Sequence, residues 1–114
     1  MTQRIDENHW LLKTPVAHRG LHDIENGIPE NSFKAYEAAI ENGYPIEMDI
    51  QLTSDNALVC FHDDNLKRMT GADSLIWDKT LAEVESLSLA GTTEKIPLFD
   101  DFLKFVNGRT PVVI

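Results

Sequence analysis

Residues Pro45 to Thr70 read PIEMDIQLTSDNALVCFHDDNLKRMT, and their pattern decides how the chain folds. Acidic and apolar residues alternate through Ile46-Glu47-Met48-Asp49-Ile50, which predicts a strand with Glu47 and Asp49 on one face and the apolar side chains on the other. A second β-type segment runs through Leu58-Val59-Cys60-Phe61 to His62 and Asp63. Between them, Ser54-Asp55-Asn56-Ala57 is a turn-forming cluster, because Asp and Asn tolerate left-handed backbone angles. A tight hairpin centred on Asp55-Asn56 places Asp49 opposite His62. An acid pair then stands beside an imidazole, within reach of one another or of a shared ion. Two acids on an otherwise apolar strand favour a functional site over a solvated surface hairpin.

Outward from this stretch, Pro15-Val16-Ala17 predicts a short buried strand running into His18-Arg19-Gly20. A His and an Arg at a strand end suit an anion, with Arg as a fork-shaped donor to phosphate. Leu21 to Asn31 read as a loop. Ser32 to Asn42 read as an amphipathic helix burying Phe33, Tyr36, Ala39 and Ile40, with Asn31 or Ser32 as N-cap and Gly43 as its stop. Glu30 precedes that helix, where its dipole favours an acid. Strand, helix and strand make a βαβ unit.

Beyond the hairpin, Asn65 to Ser74 read as irregular and Ser74 to Trp77 as a short extended piece. Thr80-Leu-Ala-Glu83 is a capping-box pattern. Asp100 or Asp101 is expected to cap a helix over Phe102 to Val106, and Pro111 to Ile114 to form a buried strand. The order of elements points to an α/β fold with a largely parallel sheet. The short connection between Thr53 and Leu58 conflicts with it, since parallel neighbours need a crossover of about a dozen residues. One of these segments must bend, or belong only partly to the main sheet.

A chain of 114 residues allows one domain with a modest core. Its formal charge of -9 disfavours nucleic acid or an anionic membrane as a partner, so an anionic substrate needs local positive charge. The single cysteine, Cys60, excludes an intrachain disulfide and reads as a core residue rather than a nucleophile. No stretch approaches the length of a membrane span, and the chain is expected to be soluble and cytoplasmic. Met1 to Lys13, with an apolar patch at Trp10-Leu11-Leu12, is expected to be a tail packed on a domain running from residue 14 to 114. His9 and His22 remain unassigned, Trp10 and Trp77 read as packing groups, and Asp64 as solvated.

Four motifs in register, His18-Arg19-Gly20, Pro29-Glu30-Asn31-Ser32, Glu47-x-Asp49 and Phe61-His62-Asp63, resemble the glycerophosphodiester phosphodiesterase family. Leu66-x-Arg-Met-Thr-Gly71 and Ile96-Pro97-Leu98-Phe99-Asp100 extend the likeness, which covers about Val16 to Ile114. The resemblance implies a triosephosphate-isomerase-type (β/α)8 barrel of the phosphatidylinositol-phospholipase-C-like kind. Its site would lie at the C-terminal strand ends, and only about half of it would be present here. It also implies metal-assisted hydrolysis of a glycerophosphodiester to an alcohol and glycerol 3-phosphate, through a cyclic phosphate that water then opens.

Carried over by residue, the resemblance makes His18 and His62 the acid/base pair and Arg19 the phosphate ligand. Glu47 and Asp49 become metal ligands, for Mg²⁺ or Ca²⁺, and Glu30, Asn31 and Asp63 support the site. The chemistry agrees: carboxylates suit a hard oxygen-seeking ion, and imidazole exchanges protons near neutrality. The family's third metal-ligating glutamate and a following lysine would come after the last strand, beyond Ile114. The chain is accordingly expected to be a piece of a longer product, or to pair two half barrels by self-association, with little activity alone. Two other readings use the same groups: a non-catalytic metal- and phosphate-binding or interaction module, and a phospholipase D-like activity on lysophospholipids. Two retained histidines favour catalysis over binding alone, and the lack of an evident membrane-facing segment weighs against the phospholipase.

Overall fold

A computed structural model describes residues 15–114. The expected N-terminal tail, with His9 and Trp10, lies outside the described residues. Three short parallel strands form the main sheet: β1 (Ala17–His18), β2 (Ile46–Glu47) and β5 (Val112–Val113), in the order β1-β2-β5. Ala17 pairs with Ile46 and His18 with Glu47, while Ile46 and Glu47 pair on their other edge with Val112 and Val113. The predicted alternation holds from Ile46 to Asp49, where Ile46 and Met48 are fully buried and the acids are not, but it ends at Ile50, which is exposed because the chain has left the parallel sheet for the hairpin.

Helix α1 (Phe33–Glu41) is the crossover between β1 and β2. Ser32 caps it: its hydroxyl oxygen accepts from the Ala35 N–H at 3.1 Å and its O–H donates to the Pro29 carbonyl at 2.7 Å. Ala35, Tyr36 and Ala39 form the buried face, with Phe33 and Ile40 at its half-buried margins. Ala35 was not on the predicted stripe. It is buried because Gly20 lies directly against it: a Cβ at Gly20 would stand 2.8 Å from the Ala35 Cβ and 2.9 Å from its backbone carbon.

The hairpin forms from β3 (Ile50–Leu52) and β4 (Leu58–Cys60), but its register differs by one residue from the predicted one. Ile50 pairs with Cys60 and Leu52 with Leu58, so Asp49 faces Phe61, whose N–H donates to the Asp49 carbonyl at 3.0 Å. His62 is not the cross-strand neighbour of Asp49. The turn has three residues, Ser54-Asp55-Asn56, and only Asn56 is left-handed, at φ 65°. Thr53 selects this turn. Its N–H donates to the Ala57 carbonyl at 2.9 Å, and its hydroxyl oxygen accepts from the Ala57 N–H at 3.0 Å. Its O–H donates to Asp55 at 2.6 Å, and Asp55 in turn accepts from the Leu81 N–H at 3.0 Å, anchoring the turn to the next helix. The Thr53 hydrogen bond first, and the Leu81 N–H second, hold the Asp55 carboxyl below its usual pKa.

The conflict between parallel sheet and hairpin resolves at Met48–Asp49. The Met48 N–H still donates to Val113 of the parallel sheet, at 2.9 Å, whereas the Asp49 carbonyl already serves the hairpin. Downstream, the stretch expected to be irregular contains the one-turn helix α2 (Lys67–Thr70), closed by Gly71. A 3₁₀ turn, Ile76–Asp78, replaces the extended piece. The predicted capping box opens α3 (Leu81–Glu85). Helix α4 (Phe99–Val106) starts before the expected caps, leaving Asp100 and Asp101 in its first turn, where the dipole favours them. The last strand is half-buried rather than buried.

Two apolar clusters hold these elements. Ala17, Tyr36, Ala39, Ile46, Met48, Cys60, Phe102 and Val106 pack between α1, α4 and the sheet, with the Tyr36 and Phe102 rings edge to face at 4.7 Å. Val59, Phe61, Leu66, Met69, Ile76, Val84, Leu89 and Ile96 close the space beneath the hairpin and the later loops. Among the described residues, no helix is long and apolar enough to cross a membrane.

Gly20 joins β1 to this core at φ 77°, so both its angle and its space exclude a side chain. Gly20→Ala is expected to cost about 2–5 kcal/mol, from a left-handed penalty of roughly 1–2 and overpacking of roughly 1–3. Urea unfolding of the variant beside the parent checks this; an unchanged midpoint would mean that the Gly20–Ala35 contact opens without cost.

Candidate active site

Side chains from four separated segments meet beyond the ends of β1 and β2. His18 ends β1, with its Nε2 3.7 Å from Glu47 Oε2, in register with the pairing of the two residues. Arg19 follows in the left-handed region at φ 58°, and Asn31 at φ 50° is left-handed as well. Each such angle costs a residue with a β-carbon about 1–2 kcal/mol and persists only where neighbours over-determine it. Here they do: the Arg19 N–H donates to Glu47 Oε2 at 3.1 Å, and the Asn31 N–H donates to the Arg19 carbonyl at 2.8 Å.

The two strand acids are each held by one oxygen. Glu47 Oε2 takes the Arg19 N–H, and Asp49 Oδ2 accepts from Asn31 Nδ2 at 3.2 Å. Among the described residues, Glu47 Oε1 and Asp49 Oδ1 accept no hydrogen bond. Asn31 is oriented by the core, since Tyr36 Oη donates to its Oδ1 at 2.8 Å. Burial above all, then the nearby Cys60, Asp49 and Glu47, pushes the Tyr36 hydroxyl well above its ordinary pKa, so it stays a donor. Burial likewise raises the Cys60 thiol to about 12, against the pull of the Tyr36 hydrogen bond, and the expectation of an inert core cysteine holds.

Glu30 does not serve the helix N-terminus as expected. Its side chain, only 10% exposed, lies between two guanidinium groups: Arg19 Nη1 reaches Oε2 at 3.1 Å, and Arg68 Nη1 and Nη2 reach Oε1 and Oε2 at 2.9 and 2.8 Å. Burial raises its carboxyl, but the hydrogen bonds and charges of Arg68 and Arg19 outweigh that and hold it below the usual range. Arg68 continues to Asp63, with Nε 2.8 Å from Oδ2 and Nη2 3.0 Å from Oδ1. Asp63 Oδ1 lies 2.7 Å from His62 Nδ1. Mainly through Arg68, against burial and helped by His62, the Asp63 carboxyl falls to about 2. His62 thus joins the other groups through Asp63 and Arg68. Asp64 is exposed, as expected, and accepts from Gln51 Nε2 at 3.3 Å.

Arg19 retains one unmet group. Its Nε is buried with no hydrogen-bond partner, and its nearest acid is Asp49 Oδ2 at 3.9 Å. A hollow of about 290 Å³, lined by His22, Ile24, Glu30, Arg68, Met69 and Ala90, opens beside the Glu30–Arg68 pair. A larger one of about 420 Å³, near Phe33 and Ile96, includes none of these groups.

Sequence reasoning missed two participants, Tyr36 and Arg68. A Tyr on a buried helix face, whose hydroxyl needs a partner, signals the first. No spacing rule singles out the second.

The model of the glycerophosphoryl diester phosphodiesterase family matches residues 18–113. The chain belongs to that family. A glycerophosphodiester phosphodiesterase of Bacillus altitudinis is 36% identical over 105 residues, 86% of this chain and 42% of that protein. One from Caldanaerobacter subterraneus subsp. tengcongensis is 42% identical over 73 residues, 63% of this chain and 29% of the relative. Among solved structures, a phosphodiesterase from Oleispira antarctica, in complex with the product sn-glycerol-3-phosphate, superposes with a TM-score of 0.78 at 29% identity. That match covers 90% of this chain and 43% of the other. A glycerophosphodiester phosphodiesterase from Agrobacterium tumefaciens gives 0.76 at 28% identity, covering 83% and 43%. The chain therefore spans less than half the length of these relatives. Its parallel β1-β2-β5 sheet and crossover helix are part of a triosephosphate-isomerase-type barrel, as the family resemblance implied.

Two outcomes are expected of this geometry. Tyr36→Phe keeps the ring but removes the donor to Asn31, freeing Asp49 to rotate. Where the acid pair holds a divalent cation, its affinity measured by calorimetry should fall about tenfold or more with the fold retained, and unchanged affinity would separate Tyr36 from the acid pair.

Asp63 has a folded pKa below its unfolded one, so its contribution is full above about pH 4 and is lost as pH falls toward 2. Asp63→Asn should cost roughly 1 kcal/mol at pH 6, allowing for solvent screening, and only a small fraction of that at pH 2. Urea unfolding at both pH values reads the difference, and an equal cost at both would exclude the charge as its source.

Proposed function

We propose that the barrel to which these residues belong hydrolyses glycerophosphodiesters to an alcohol and glycerol 3-phosphate. The observation that carries this reading is the buried, unpartnered Arg19 Nε beside two carboxylates that, among the described residues, each keep a free oxygen. A guanidinium N–H out of water and without an acceptor suits an anionic oxygen. The Oleispira antarctica structure, with sn-glycerol-3-phosphate as its product, supports phosphate chemistry on this fold.

The donors fit a hard cation. Glu47 and Asp49 offer only oxygen, and each is braced by a hydrogen bond as metal-ligating carboxylates commonly are. Among the described residues, no set of three or more His, Cys, Asp or Glu side chains gathers to hold an ion. Two carboxylates still suit Mg²⁺, which binds through one or two of them with water and substrate phosphate, and Ca²⁺ also takes oxygen ligands. Such an ion would neutralise phosphate charge and polarise the P–O bond.

The chain's own groups do the rest. Arg19 holds the phosphoryl oxygens through its guanidinium, fixed by Glu30. His18 and His62 move protons: one accepts from the attacking hydroxyl and the other donates to the departing alkoxide. Glu30, Asn31 and Asp63 position Arg19, Asp49 and His62 respectively. Residues 14–114 supply this part of the site, and the remaining barrel strands supply its other walls.

The test is release of glycerol 3-phosphate from glycerophosphocholine with Mg²⁺ or Ca²⁺, by this chain alone and by a barrel completed with the C-terminal elements of the Bacillus altitudinis relative. Activity is expected in the completed barrel. There His62→Ala should lower kcat by about 10²–10⁴ with metal affinity intact, and Glu47→Ala should weaken the metal first. Release by neither protein, with metal still bound, would replace hydrolysis by a binding role. Loss of metal with His62→Ala would make His62 a ligand.

A further inference from the structure

Arg68 makes more hydrogen bonds to the site than any other side chain described. Its Nη1 and Nη2 engage both oxygens of Glu30 at 2.9 and 2.8 Å, and its Nε and Nη2 engage both oxygens of Asp63 at 2.8 and 3.0 Å. Beyond Glu30 lies Arg19, and beyond Asp63 lies His62. Arg68 comes from α2, outside the parallel sheet. Among the described residues, no other side chain connects His62 with Arg19.

We infer that Arg68 is a positioning residue whose planar fork locks Asp63, so that His62 keeps its proton on Nδ1 and presents Nε2 to the substrate. Through Glu30 the same fork holds Arg19 in a fixed relation to that imidazole. The inference rests on the phosphodiesterase reading for its function, but its structural content can be tested without turnover.

An ionised carboxylate only accepts, and a neutral imidazole donates from one nitrogen alone. The Arg68 hydrogen bonds, first among the causes, keep Asp63 ionised through the neutral range. The contact of 2.7 Å therefore has one assignment, His62 Nδ1–H donating to Asp63 Oδ1. This is the orienting role that an acid plays behind a catalytic histidine in hydrolase triads, here with an arginine behind the acid.

Without Arg68, Asp63 is free to rotate, whereas the loop backbone keeps a separate anchor in Gln51 Nε2, which donates to the His62 carbonyl at 3.0 Å. Side-chain orientation is then lost before the fold. Arg68 is 50% exposed, so its charge alone is screened and its geometry is what matters. Lysine, a single point donor on a flexible stem, cannot span both carboxylates.

The test is ¹⁵N NMR of the His62 ring in the 114-residue chain at a pH where the ring is neutral, for the parent, Arg68→Gln and Arg68→Lys, with circular dichroism as the check on folding. The parent is expected to hold the Nδ1–H form. In both variants the ratio of Nδ1–H to Nε2–H should fall about tenfold or more, the equivalent of losing one hydrogen bond to a charged group. An Nε2–H ring in the parent overturns the inference by itself, even where a variant fails to fold. So does an unchanged ratio in folded Arg68→Gln, and retention in Arg68→Lys overturns the role of the fork. A completed barrel that released no glycerol 3-phosphate would remove the phosphodiesterase reading and leave the tautomer result standing.

Discussion

One change of partner in the backbone, at Met48–Asp49, sets the rest of the structure. Up to Met48 the chain belongs to a parallel ladder, with its N–H on Val113; from Asp49 its carbonyl serves an antiparallel hairpin through Phe61. Every buried polar backbone group must find a partner, so the strand can leave the sheet only where another ladder receives it. The transfer keeps Ile46 and Met48 in the core and turns Glu47 and Asp49 toward the strand ends. It also fixes where the chain returns. β4 comes back beside β3 rather than beside β2, so His62 and Asp63 approach the acids from outside the parallel sheet.

Charge is then distributed unevenly in an acidic protein. Glu30 and Asp63 share Arg68, and Glu30 also has Arg19. A carboxylate as enclosed as Glu30 is tolerable only because its oxygens are met by three N–H groups, which offset the loss of water. Glu47 and Asp49 have no such cover. Among the described residues, the guanidinium nearest them is that of Arg19, whose shortest ion pair is with Glu30 rather than with them. The site therefore contains one neutralised region and one with surplus negative charge, where a cation is favoured. The two regions meet at Arg19.

The parts of this arrangement that depend on local pattern were legible in the sequence. Alternation marked Glu47 in β2 and Asp49 just beyond it as a pair set apart from the core, a hydroxyl and a glycine marked the ends of α1, and the capping box marked α3. The hairpin was legible but its register was not. Asp55-Asn56 suits a two-residue turn, and the choice of three residues came from Thr53 and from the distant Leu81 N–H, a tertiary contact that no local rule contains. The same limit hid Arg68. Its partners lie 38 and 5 positions away, on different elements. Position alone favours a helix-end role for Glu30 and the family motif a supporting one, but neither names its partners, two guanidinium groups from other segments.

The strained residues show why the cationic side of the site is rigid. Arg19 and Asn31 both sit in a backbone region that disfavours side chains, and they hold each other there through the Asn31 N–H and the Arg19 carbonyl. Relaxing either would release the Arg19 N–H from Glu47 or the Asn31 amide from Asp49, so backbone strain is tied to carboxylate orientation. Gly20, pressed against Ala35, prevents the segment from moving away, and Tyr36 fixes Asn31 from the core. A guanidinium so constrained cannot swing to meet its own unpaired Nε. Among the described residues none meets it, and on the proposed function the strain is tied to the recognition of an anion rather than being a by-product of the fold.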